Sequence, residues 1–71
     1  MKFGMNMKKL RKNKRISQAA IAKALEVSQR TISHYENGTC QPNLDGLCKI
    51  ADILEVSIDE LIGREFPKKQ Y

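Results

Sequence analysis

Two runs of helix-period apolar residues, 17–25 and 28–37, are separated only by the turn Glu26-Val27-Ser28. So short a connection is too tight for an antiparallel hairpin of long helices and suits two helices that cross steeply. Everything else in the 71-residue chain has to pack around that corner. The same periodicity recurs in Leu47/Ile50/Ala51/Leu54 and in Ile58/Leu61/Ile62, and no stretch alternates long enough to read as a strand. Ser17, Ser28, Asn43 and Ser57 each precede such a run, where a short polar side chain accepts from an unpaired first-turn amide. Gly38 and Gly63 follow the third and fifth runs as left-handed stops, and Gln41-Pro42 favours an extended link before the fourth. The expectation is an all-α, compact five-helix bundle with helices near 5–13, 17–25, 28–37, 43–55 and 57–62. Residues 1–4 read as a leader, 5–63 as one domain and 64–71 as a tail.

Charge is distributed unevenly along the chain. Residues 1–35 hold nine Lys or Arg against the single acid Glu26, whereas residues 36–71 hold four against seven. A basic half beside a mildly acidic half suits a polyanion on one face, and charge alone does not choose between nucleic acid and lipid headgroups. The run Lys8 to Arg15 carries little apolar content beyond Leu10, too little for interfacial insertion, so contact with phosphates is the better reading. No run of about eighteen apolar residues is available to span a bilayer, and the start lacks the apolar core of a signal peptide. A cytoplasmic location with reduced thiols is expected.

Spacing across the Glu26-Val27-Ser28 corner is that of a helix-turn-helix, residues 17–37. At about 100° per residue, Gln29, Ser33, Asn37, Arg30 and His34 fall within an arc of roughly 140° on the 28–37 helix. Thr31, Ile32 and Tyr35 lie on the rest of the circle, and Glu36 sits on the border. The outward set is chemically apt for base edges: Arg pairs with guanine O6 and N7, Gln with adenine N6 and N7, and Ser serves either.

Residues 17–63 closely resemble the helix-turn-helix domain of the Cro and phage-repressor (XRE-like) family. The resemblance covers about two-thirds of the chain. It runs through Ser17-Gln18, Ile21-Ala22, Leu25, Val27-Ser28, Thr31-Ile32-Ser33, Tyr35-Glu36, Gly38, Pro42, Leu47, Ile50-Ala51, Leu54-Glu55-Val56-Ser57, Asp59 and Leu61-Ile62-Gly63. It implies a lambda-repressor-like domain whose third helix enters the DNA major groove with its N-terminal residues on base edges. Gln29, Arg30, Ser33 and His34 then become base-reading candidates. Gln18, Asn37, Arg11, Lys12, Ser17 and Thr31 become candidates for the DNA backbone. Arg11 and Glu36 match a helix-1 to helix-3 ion pair, expected to be mostly exposed and to contribute about 0 to 1 kcal/mol. Relatives bind two-fold operators as dimers, which implies a homodimer, with Ile58, Leu61, Ile62 and Phe66 supplying the apolar surface.

The sequence departs from the family at two positions. Position 26 is often Gly in the family, where the backbone turns left-handed, so Glu26 is expected to cost roughly 1 kcal/mol there. Tyr35 stands for a frequent Trp and keeps an aromatic with a polar tip.

Other chemistries find little support. Cys40, Cys48 and His34 lack metal-ligand spacing, and Cys48, next to Leu47, is expected to be a small core residue. No glycine-rich phosphate loop and no nucleophile, base and orienter set is visible, so neither an enzyme nor a cofactor is expected, and no small-molecule ligand is implied. The reading is a sequence-specific double-stranded DNA-binding transcriptional regulator, a repressor. The alternative is an antitoxin or adaptor that binds a protein partner and autoregulates through the same domain.

Overall fold

The computed structural model describes residues 3–63. They form α1 (Phe3–Asn13), α2 (Gln18–Leu25), α3 (Gln29–Asn37), α4 (Leu44–Leu54) and α5 (Ile58–Ile62). Four of the five starts are set by side-chain caps. Ser17 accepts from the Ala20 amide at 3.0 Å, Ser28 from Thr31 at 3.1 Å, Asn43 from Gly46 at 2.8 Å and Ser57 from Glu60 at 3.0 Å. Each replaces one of the intrahelical partners that a first turn lacks.

Helix ends repeat a second device. The amides of Ile16, Val27, Thr39 and Val56 reach back to the carbonyls of Arg11, Ala22, His34 and Ala51, all at 3.0 Å. This closure needs a left-handed residue just before the donor. Gly38 supplies it after α3 with φ 80°, but Arg15, Glu26 and Glu55 supply it elsewhere with φ of 59°, 60° and 58°. The left-handed backbone expected at Glu26 is therefore present. Ile16, Val27 and Val56 follow the three strained residues and pack against the core, and that burial offsets the strain.

α1 packs on α3 and α5, α2 on α3 and α4, and α4 on α5. Met7, Ile21, Ile32, Ile50, Leu54 and Leu61 are fully enclosed, with Phe3, Ala22 and Ala51 completing the core. The first helix begins two residues earlier than position 5, and Phe3 is 3% exposed, so residues 3 and 4 belong to the packed domain and not to a leader. Gly4 explains how α1 comes so close to α3. A Cβ on Gly4 would stand 2.6 Å from the Glu36 carbonyl oxygen and 2.7 Å from that of Tyr35. The same approach sets the positive end of α1 beside the negative end of α3, a favourable pairing of helix dipoles.

Cys48 corrects an expectation: it is exposed, as is Cys40. On α4 it lies about 100° around the helix from Leu47, away from the stripe of Leu47, Ile50 and Leu54, so adjacency in sequence did not mean the same face. The tail 64–71, including Phe66, lies outside the described residues.

Candidate nucleic-acid interface

The steep corner between α2 and α3 brings the start of α2 beside the front of α3. Gln29 and Arg30 are exposed in the first turn of α3, Ser33 and His34 are half-buried a turn later, and Asn37 is exposed at the end. The opposite side of α3 buries Ile32 and Glu36 and half-buries Tyr35. Ser17 is exposed at the α2 cap, Gln18 is half-buried beside it, and Lys12 is exposed near the end of α1. Thr31 is half-buried, and its hydroxyl lies 2.9 Å from that of Ser28.

Arg11 and Glu36 are not exposed, contrary to expectation. They are 9% and 6% exposed, and their contact is bidentate: Arg11 Nε donates to Glu36 Oε2 at 2.6 Å and Nη2 to Oε1 at 3.2 Å. Arg11 Nη1 donates to the Ile16 carbonyl at 2.9 Å. Each of the three guanidinium nitrogens of Arg11 thus donates one bond inside the domain. Its burial follows from the α1 register, because Phe3, Met7 and Arg11 stand four residues apart on one face. A buried, fully paired ion pair of this kind specifies how α1 and α3 fit together more than it stabilises the fold.

The pair also extends outward. Gln18 Nε2 donates to Glu36 Oε1 at 3.0 Å, and Gln29 Nε2 donates to Gln18 Oε1 at 3.4 Å. A chain of side-chain bonds thus runs from Arg11 on α1, through Glu36 and Gln18, to Gln29 at the front of α3. Spacing and angle around α3 grouped Gln29 with Arg30, but they did not reveal the contact between Gln18 and Gln29, which arises only when α2 and α3 cross.

Chemically, the front of α3 offers a fork of guanidinium donors from Arg30 and an amide from Gln29, both exposed. Such groups match base edges in a groove wide enough to admit a helix. Among the described residues no three His, Cys, Asp or Glu side chains converge as metal ligands. No described helix is long and apolar enough to cross a membrane.

The helix-turn-helix family model matches residues 7–61. The chain belongs to the helix-turn-helix family. Its helix-turn-helix domain is 41% identical over 64 residues to the cryptic phage CTXphi transcriptional repressor RstR of Vibrio cholerae, covering 90% of this chain and 57% of that one. It is 37% identical over 65 residues to the HTH-type transcriptional activator BcrR of Enterococcus faecalis, covering 92% of this chain and 32% of that one. A transcriptional regulator from Listeria innocua of known crystal structure superposes with a TM-score of 0.83 at 30% identity, over 97% of this chain and 64% of that one. The chain spans between about a third and two-thirds of the length of these relatives.

Proposed function

We propose that the chain is a sequence-specific double-stranded DNA-binding transcriptional regulator that reads the major groove with α3. The observation that carries this reading is the front of α3, where Gln29 and Arg30 are exposed while the opposite face of the helix buries Ile32 and Glu36. A helix packed in this way presents base-reading groups with little ordering cost on binding. Gln29, Arg30, Ser33 and His34 read bases. Gln18, Asn37, Lys12, Ser17 and Thr31 hold the sugar-phosphate backbone, with Lys12 adding charge that depends on salt.

Repression is the mode we assign, because occupying an operator needs nothing beyond the binding surface. The likeness to a phage repressor supports it. The protein acts in the cytoplasm without a cofactor. One small domain seldom reaches strong specificity alone, so it acts as a homodimer on a two-fold operator, with half-sites one helical turn apart. Leu61 is fully buried and so is spent on the core, which leaves the half-buried Ile58 and Ile62 of α5 to supply apolar surface to the second copy.

Selecting bound duplexes from a random pool tests this reading. Enrichment of a two-fold site supports it, and retention of DNA without any sequence enrichment contradicts it.

A further inference from the structure

α4 packs on α2 and α5, and between it and α3 lies a half-open pocket of about 240 Å³. The α2–α3 side of the pocket is apolar and aromatic, with Leu25 and Val27 flanking the left-handed Glu26 and Tyr35 contributed by α3. Asn43, Asp45 and Lys49 line it from the first turns of α4. A cavity of about 150 Å³ holds a benzene ring, so this one has room for an aliphatic or aromatic side chain and the polar groups attached to it.

The α4 side carries both signs of charge close together. Asp45 and Lys49 stand one turn apart, with Oδ2 and Nζ at 3.3 Å and both residues exposed. Asn43 Oδ1 is taken by the Gly46 amide at 2.8 Å, which leaves Nδ2 as a donor. A ligand with a single charge meets one opposite and one like charge here, so the pair favours neither anions nor cations. An ammonium and a carboxylate borne on one carbon meet the pair favourably, the carboxylate towards Lys49 and Asn43 Nδ2 and the ammonium towards Asp45. The remaining substituent of that carbon then faces Leu25, Val27 and Tyr35 across the gap.

We infer that this pocket binds a free amino acid with a medium-sized apolar side chain, of the leucine, methionine or phenylalanine kind. Only a free amino acid carries both charges on one carbon, since a residue inside a peptide or at its end lacks at least one of them. The site is separate from the reading arc, because Tyr35 lies on the other side of α3 from Gln29 and Arg30, and it stands whether or not α3 reads bases. With a small ligand and exposed charges, the expected dissociation constant is about a millimolar.

Titration of the isotope-labelled protein with L-leucine, L-methionine and L-phenylalanine, followed by amide chemical shifts, tests the inference. The expected result is a saturable shift at the amides of Val27, Tyr35 and Lys49 with at least one of the three. Glycine has the charges without the side chain, and the N-acetyl and amide derivatives of the best ligand each lack one charge. Each of these is expected to bind about fivefold more weakly. Asp45→Asn and Lys49→Met lie at exposed positions clear of the core, and each is expected to lower affinity for the best ligand about fivefold while circular dichroism shows an unchanged fold. The inference is overturned if none of the three amino acids gives a saturable shift. It is equally overturned if the blocked derivatives bind as well as the free amino acid, or if neither substitution alters binding.

Discussion

Arg11 on α1 and Glu36 on α3, 25 residues apart in sequence, meet in a buried bidentate contact at 2.6 and 3.2 Å. Removing one partner strands a buried charge, so Arg11→Ala is expected to cost about 3 kcal/mol in urea unfolding, a large part of the stability of so small a domain. Replacing both at once, as Arg11→Met with Glu36→Leu, leaves no unpaired charge. The double variant is expected to be more stable than either single one.

Gly4 is the second place where α1 meets α3. A methyl group there collides with the Tyr35 and Glu36 carbonyls, which belong to the backbone and cannot rotate away. Gly4→Ala should therefore destabilise by about 1 to 3 kcal/mol although alanine favours helices, and thermal unfolding reads the difference.

Glu26 and Glu55 pay for left-handed backbone that glycine adopts freely. Glu55→Gly is expected to stabilise by about 0.5 kcal/mol after the extra chain entropy of glycine, raising Tm by roughly 2 to 4 °C. Glu26→Gly should do the same. A fall in Tm for both would show that the strain is relieved in some other way.

How much of this was legible in the sequence depends on where the physics is local. The starts of α2 to α5 were readable because Ser17, Ser28, Asn43 and Ser57 cap within three residues of themselves. No Ser, Thr, Asn or Asp precedes Phe3 in the sequence to mark the start of α1, and so Phe3 was left in a leader. The stripe of Phe3, Met7 and Arg11 was hidden with it, and so was the burial of Arg11. Glu36 sat on the border of the α3 circle, and only the packing of α1 decided that it faces inward. Gln29 and Arg30 were visible as an outward pair, since helix phase alone sets their direction. The bond between Gln18 and Gln29 was not visible, because it depends on how two helices cross. Gly4 was equally silent, as a glycine records a close approach only once the neighbour is known.

Lys12 is exposed close to the α1–α2 corner and carries charge but no base-reading capacity. Lys12→Ala should weaken binding about equally on all duplexes and lower the slope of log affinity against log salt by about one. Titrations at several salt concentrations check both.

Dimer formation is expected on DNA. Sedimentation of the protein with its selected duplex should give two chains per two-fold site, and Ile62→Asp on α5 should reduce that to one chain with weaker binding. A single chain per site for the unaltered protein removes the proposed assembly.

The base-pair preferences of Arg30→Ala on the selected duplex, set against those of the unaltered protein, test the reading of α3 most directly. The expected result is a loss of about 1 to 3 kcal/mol in affinity together with relaxed preference at one base pair, the rest of the site being read as before. If affinity and preference both stay unchanged, α3 is not the helix that reads the DNA.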